Sequence, residues 1–372
     1  MAAFLIMAAA AALLAGAYIF VLFSRALETA GMERKKKRRV ISLILTLAVF
    51  ACVYLFAGYA VMAIYEVFLA SALLEILNIF LKRTGSSGRR EKWGKIYKSG
   101  VLTLIIACAV LIYGYINVEN TVVTEYSLST DKAIPEGHMK VALVADLHAG
   151  TTFIQKEFEE RCRQIQAQDP DILLLAGDIF DEGTPEPLMR SVTEALGGID
   201  TKYGSYYVFG NHDNGVTGNN RNFNDSEITK EMTENRITVL DDKVVDVADG
   251  VALAGRKDSS FDMYRGKRKS VRELTGGVDG KDYLIVMDHQ PKDLEQNAKE
   301  GADMLVSGHT HGGQLWPLGL IGSVFKFNEM TYGHENIGGM DCIVTSGIGV
   351  WGAPFRTERH SEIVVINIKQ NK

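Results

Sequence analysis

The chain has 372 residues, more than one ordinary domain holds, and its formal net charge of −5 gives no basic footprint for a nucleic-acid partner. Its 4 cysteines give no disulfide framework, and the lack of a Cys-x-x-Cys pair excludes a zinc ribbon and a thioredoxin-type motif. Bulk composition hides a division: apolar runs broken by basic clusters fill residues 1–118, and a soluble α/β pattern fills 119–372.

A helix that crosses a bilayer needs about 20 mostly apolar residues. Four stretches meet that demand, at roughly 2–23, 40–58, 61–81 and 100–117. The first, Ala2–Phe23, reads as a retained helix rather than a signal peptide, because its positive charges start after the apolar run, at Arg25. Basic runs beside membrane segments mark the cytoplasmic side. Arg34-Lys35-Lys36-Lys37-Arg38-Arg39 is one such run; Lys82, Arg83, Arg89, Arg90, Lys92, Lys95 and Lys98 make another. Keeping both inside requires an even number of spans between them, so Val40–Leu81 reads as two short helices with a turn near Gly58-Tyr59. The expectation is a multi-pass protein of the cell membrane with its N-terminus and its C-terminal domain outside; three spans is the alternative. Glu66 and Glu75 mark either functional carboxylates or the interior of a helix bundle.

Beyond residue 119, Val122–Leu128 alternates as an edge strand does, and Met139–Ala145 is a buried strand ending in Asp146-Leu147-His148. Phe153–Gln168 has helical spacing. Asp171–Ala176 is a strand ending in Gly177-Asp178-Ile179-Phe180-Asp181, and Pro185–Leu196 is a helix with Thr184 before it. Tyr206–Phe209 leads to Gly210-Asn211-His212-Asp213. Short strands follow at Thr238–Leu240, Lys243–Val247 and Val251–Ala254. Leu284–Met287 leads to Asp288-His289, and Met304–Val306 leads to Ser307-Gly308-His309-Thr310-His311-Gly312-Gly313-Gln314. Cys342–Thr345 and Glu362–Ile368 are the last strands. Apolar strands alternating with helices mean an α/β core.

Five of these strands end in residues of metal-ligand type, and α/β folds place ligands at the carboxyl ends of strands. Carboxylate, amide and imidazole groups without a thiolate suit first-row divalent ions rather than a structural zinc site. Each piece alone has a bland reading: Asp-x-His as a helix cap with a surface histidine, Asn-His-Asp as a turn, His289 as loop decoration. His138, His334 and His360 fall outside the five pieces.

Asp146-x-His148, Gly177-Asp178-x-x-Asp181, Gly210-Asn211-His212-Asp213, His289 and Gly308-His309-x-His311, in this order, resemble the calcineurin-like metallophosphoesterases. Gly312-Gly313-Gln314, Ser346-Gly347-Ile348-Gly349, Pro354-Phe355-Arg356 and Glu362-Ile363 resemble the bacterial membrane-associated branch of that family. The resemblance, over residues 138–368, implies a metallophosphoesterase domain built as a two-sheet β-sandwich flanked by helices. It puts Asp146, His148, Asp178 and His311 on one divalent ion and Asp178, Asn211, His289 and His309 on a second, with Asp178 bridging. The ions are manganese, iron, zinc or magnesium. It gives His212 a role as general acid or charge stabiliser facing the substrate, with Asp213 beside it to orient the ring. The implied reaction is hydrolysis of a phosphate ester or anhydride by a hydroxide shared between the ions, as a phosphodiesterase or pyrophosphatase acting on a phosphorylated small molecule or a lipid. A non-catalytic metal-dependent membrane scaffold or sensor is the alternative.

Two further stretches bear on substrate. Arg256, Lys257, Arg265, Lys267, Arg268 and Lys269 either attract an anion or form a solvated loop, and Arg356 is a candidate phosphate contact. Leu315-Trp316-Pro317-Leu318-Gly319-Leu320-Ile321 and Phe325 either pack in the core or meet a lipid.

Overall fold

The computed structural model describes residues 2–55, 57–151, 155–215, 221–264 and 266–371. The chain forms two units, 1–113 and 114–372, dividing five residues before the boundary expected from composition.

The first unit is helical: α1 (Ala2–Thr29), α2 (Lys35–Leu55), α3 (Ala57–Thr84), α4 (Ser87–Ser99) and the start of α5 (Val101–Glu119). Among the described residues, Val61–Thr84 and Val101–Glu119 are long and apolar enough to cross a bilayer. Most side chains of the expected first span lie outside the described residues. Gly58 and Tyr59, where a turn was expected, lie within α3, and residue 56, between α2 and α3, is outside the described residues. Most of the second basic stretch is α4, which has no buried residue and ends at Gly100 in the left-handed conformation (φ 72°). Glu75 is a half-buried ion-pair partner, taking Arg25 Nη1 at 2.7 Å, and the same nitrogen reaches the Tyr97 hydroxyl at 2.7 Å.

Among the described residues the second unit holds twelve strands: β1 (Thr121–Thr130), β2 (His138–Val144), β3 (Ile172–Leu175), β4 (Ser205–Tyr207), β5 (Ile237–Val239), β6 (Lys243–Ala248), β7 (Val251–Gly255), β8 (Tyr283–Met287), β9 (Met304–Ser307), β10 (Gly333–Ile337), β11 (Met340–Val344) and β12 (Ser361–Gln370). They make two six-stranded sheets, ordered β1-β12-β2-β3-β4-β5 and β10-β11-β9-β8-β7-β6. Strands β2 to β5 are parallel, as are β7, β8, β9 and β11. The helices are α6 (Gln155–Gln166), α7 (Glu186–Gly197), α8 (Asp225–Glu234), α9 (Phe261–Tyr264), α10 (Val271–Thr275), α11 (Leu294–Lys299) and α12 (Leu318–Phe325).

Alternation of side chains along each strand splits the apolar residues between the two faces of a sheet. Val141, Leu143, Leu174, Ile285, Met304, Val306 and Ile366 meet between the sheets. Val144, Leu173 and Leu175 face the other way, onto Phe158 and Ile165 of α6, Met189 and Val192 of α7 and Ile228 and Met232 of α8. Ala252, Val286 and Leu305 pack with Val271 of α10 and Leu294 of α11. Each fully buried side chain of this size contributes about 1.5–3 kcal/mol. The two-sheet, helix-flanked architecture is the expected one. Strand β10 was not expected: three of its five residues are exposed, the other two are half-buried, and they show no apolar alternation. Helix α8 was also missed, although Asn224 and Glu227 form a capping box at its start.

Candidate metal centre

The parallel strands of both sheets stop along one rim, and the loops that leave them carry the expected ligands. The backbone turns sharply there. Asp146, His148, Asp178, His309 and His311 all have positive φ, between 47° and 70°. Non-glycine residues rarely adopt this region, and its cost of order 1–3 kcal/mol per residue persists where the surrounding structure enforces it. Glycine clears the space between loops. A Cβ on Gly210 would overlap Asp178 Oδ1, and one on Gly308 would overlap the Asp146 carboxylate.

The turns bring two groups of donors together. Asp146, His148 and His311 present ligand atoms mutually within 4.8 Å, and so do Asp178, His289 and His309. His148 Nε2 lies 3.2 Å from His311 Nε2 and 4.0 Å from Asp178 Oδ2, so Asp178 stands between the groups. Its Oδ2 is also 3.0 Å from His289 Nε2. Asn211 Oδ1 is buried and, among the described residues, has no hydrogen-bond partner.

Second contacts fix the rings. His289 Nδ1 lies 2.8 Å from the Ala176 carbonyl, which keeps a proton on Nδ1 and turns Nε2 toward Asp178. His148 Nδ1 faces Asp181 Oδ1 at 3.3 Å, with the same consequence. Asp146 accepts the His309 N–H on both oxygens, at 2.9 and 3.0 Å. Asp178 Oδ1 accepts the His212 N–H at 2.8 Å.

Electrostatics follow from burial and crowding. Burial opposes ionisation of Asp178, yet His289, His148 and His212 outweigh it and hold the carboxyl well below its usual range. Burial, with the Asp178 charge, raises Asp146 to about 6. Burial, with the charge on His289, lowers His309 to about 4, and burial with His148 and Arg356 pushes His311 well below the usual imidazole range. Both imidazoles therefore offer lone pairs rather than protons at neutral pH. A buried unpartnered amide oxygen, clustered imidazole lone pairs and a central ionised carboxylate fit divalent cations.

His212 differs from His309 and His311. Its Nδ1 faces Glu182 Oε1 at 2.8 Å and Asp181 Oδ1 at 3.2 Å. Burial alone would lower its pKa, but these two carboxylates raise it to about 10. The ring stands edge-on to His148, with centroids 4.9 Å apart, and 6.0 Å from the exposed Trp351 ring.

Three expectations need correction. Asp213 was expected to orient His212; its oxygens instead accept the backbone N–H groups of Asp178 (2.6 Å), Phe180 (2.8 Å) and Gly210 (2.9 Å), tying two loops together. The groups facing His212 Nδ1 are Glu182 and Asp181. Arg356 was expected to meet phosphate; it is fully buried and donates to the carbonyls of His311 (3.0 Å) and Gly349, so it braces the loop under His311. Arg256 and Arg268 were expected on a solvated or substrate-facing loop; both are buried against Asp288, at 3.0 and 2.8 Å. Arg265 lies outside the described residues. Glu182 was missed because its role depends on a ring from another loop; its only local signal is its place beside Asp181.

Residues 139–313 match the family model described as calcineurin-like phosphoesterase. A Danio rerio protein named as a transmembrane protein with a metallophosphoesterase domain is 28% identical over 337 residues, which cover 88% of this chain and 74% of that one. An uncharacterised metallophosphoesterase of Campylobacter jejuni is 27% identical over 286 residues, 73% of this chain and 70% of its own. The crystal structure of a dimetal phosphatase from Danio rerio covers 55% of this chain and 86% of its own, at TM-score 0.36 and 11% identity.

Proposed function

We propose, from the match of residues 139–313 to the calcineurin-like phosphoesterase family, that the chain is a membrane-anchored phosphohydrolase working with two divalent metal ions. The observation that carries the reading is the meeting of two donor triads around Asp178, with Asn211 Oδ1 buried and unpartnered beside them. Asp146, His148 and His311 would hold one ion, and Asn211, His289 and His309 the other, with Asp178 shared. When bound, such ions supply Lewis acidity, polarising a phosphoryl group and lowering the pKa of water.

The chain's own residues do the rest. Asp181 and Ala176 keep His148 and His289 in the ligating tautomer. Glu182 and Asp181 keep His212 protonated, so its ring can give a proton to the leaving oxygen of a phosphate ester or anhydride. A scaffold or sensor needs no such proton, and the carboxylate pair on His212 supports the hydrolase over that alternative. Manganese or iron suits a mixed oxygen and imidazole donor set, and a phosphodiester or pyrophosphate is the proposed substrate.

The apolar stretches Val61–Thr84 and Val101–Glu119 support anchoring in the cell membrane. With the expected helices at residues 2–23 and 40–58 they make four spans and put residues 119–372 outside. Asp178→Ala should remove metal-dependent hydrolysis of a soluble phosphodiester, by roughly a thousandfold or more. Retained turnover in a folded variant would defeat the reading.

A further inference from the structure

Helix α12 shows a surface unlike the rest of the catalytic unit. From Leu315 to Phe325 the sequence has no charged residue. Trp316 is 42% exposed, Phe325 68% and Phe327 71%, with Leu318, Leu320 and Val324 exposed beside them. Large apolar side chains exposed singly are ordinary; six within twelve residues make a patch that a monomer in water does not keep without use. Lys326 and Arg359, both exposed, border it.

The residues that hold this patch also hold the end of the last apolar helix. The Thr357 and Glu358 N–H groups donate to the Gln314 carbonyl at 2.8 and 3.0 Å. The Trp316 N–H donates to Thr357 Oγ1 at 3.0 Å, and the Gly319 N–H to Glu358 Oε2 at 2.8 Å. On its other side the same strap takes the close of α5. The Arg356 N–H donates to the Gly114 carbonyl at 3.0 Å, and Asn117 Nδ2 donates to the carbonyls of Arg356 (3.0 Å) and Arg359 (2.6 Å). The strap lies close against the helix: a Cβ at Gly114 would come to 2.9 Å from Thr357 Cγ2. One short strap, residues 356–359, therefore fastens the α12 segment to the point where α5 ends. If α5 leaves a bilayer there, the patch lies at the lipid surface.

The patch also adjoins the metal centre. Gln314, three residues after His311, donates through Nε2 to the Trp351 carbonyl at 2.9 Å and accepts the Trp351 N–H on Oε1 at 3.1 Å. Trp351 is the exposed ring next to His212.

We propose that Trp316, Leu318, Leu320, Val324, Phe325 and Phe327 form a membrane-inserting face that seats the catalytic unit on the bilayer entered by α5, so that the metal centre takes its phosphate from an amphiphile resident in that bilayer. The inference rests on the membrane-anchored phosphohydrolase reading above and names its substrate class. Apolar side chains enter the acyl boundary, while Lys326 and Arg359 stay at headgroup level.

The test uses the full chain in phospholipid nanodiscs. In a Trp93→Phe, Trp351→Phe variant, Trp316 is the remaining tryptophan of the 3 in the chain. Lipids brominated high on the acyl chain should quench its fluorescence; an indole indifferent to bromolipid overturns the proposal. Val324→Glu, Phe325→Glu and Phe327→Glu together should cut hydrolysis of a long-chain phosphodiester embedded in the disc roughly tenfold while leaving a short soluble phosphodiester unaffected. Equal losses on both substrates, or none on either, overturn it, as does a dimer that the triple variant dissociates. If the unsubstituted chain hydrolyses neither substrate, the phosphohydrolase reading fails, and the quenching result still reports on the membrane face by itself.

Discussion

Asp181 serves two rings at once. Its Oδ1 faces His148 Nδ1 at 3.3 Å and His212 Nδ1 at 3.2 Å, while its Oδ2 accepts the Thr151 hydroxyl at 2.7 Å. Burial would favour its neutral form, but the two imidazoles hold it ionised. Asp181→Asn should therefore disturb ligand and acid together, lowering both metal affinity and kcat by about 10–100-fold. His212→Ala touches only the acid. It should keep its metal and lose about 10²–10⁴ in kcat, with a smaller loss on esters whose leaving group needs no proton. Metal titration beside kcat for both variants separates the roles; equal metal loss in the two would count against them. Sequence made the ligands legible because each sits at the end of an apolar strand. It did not reveal Glu182 or the true setting of Asp213 and Arg356, since those depend on which loops meet and how deeply. An arginine near a candidate phosphate site looks the same in sequence whether it faces solvent or braces a carbonyl.

At the scale of elements, the loops after β7 and β8 depend on a buried charge cluster. Asp288 takes Arg256 Nη1 at 3.0 Å and Arg268 Nη1 at 2.8 Å, all three being buried. Removing one member of such a set leaves uncompensated charge behind. Asp288→Asn should cost about 3–5 kcal/mol in metal-free thermal or denaturant unfolding of the catalytic unit, despite near-identical shape. A change below about 1 kcal/mol would mean that water reaches the guanidinium groups. The long apolar strands β2, β3, β8, β9 and β12 were readable because both faces of each are covered. Strand β10 was not, since Gly333-His334-Glu335-Asn336-Ile337 pairs only with β11 at a sheet edge and buries no face. Helix α12 escaped for a different reason: Leu318-Gly319-Leu320-Ile321-Gly322-Ser323-Val324-Phe325 is apolar on every side, so no period separates an inner from an outer face.

For the whole molecule, composition expects a split after residue 118 between an apolar N-terminal part and an α/β part, and the structure divides into units 1–113 and 114–372. The number of helices that cross a bilayer is harder to read, because Arg34–Arg39 partly belongs to α2 itself and most of the second basic stretch is a helix rather than a loop. The four-span arrangement puts the C-terminus outside. A phosphatase reporter fused after Lys372 should be active only when exported, and a cytoplasmic reporter should be silent there; the opposite pattern would reverse the orientation and leave the site chemistry untouched.

The central claim is that seven side chains from five strand ends hold a pair of cations around Asp178. Its most direct test is anomalous diffraction from the metal-loaded chain. The account predicts two peaks roughly 3.5–4 Å apart, one contacted by Asp146, His148 and His311, the other by Asn211, His289 and His309, with the Asp178 carboxylate touching both. A single peak, or two that do not share Asp178, in protein that hydrolyses a phosphodiester would contradict it.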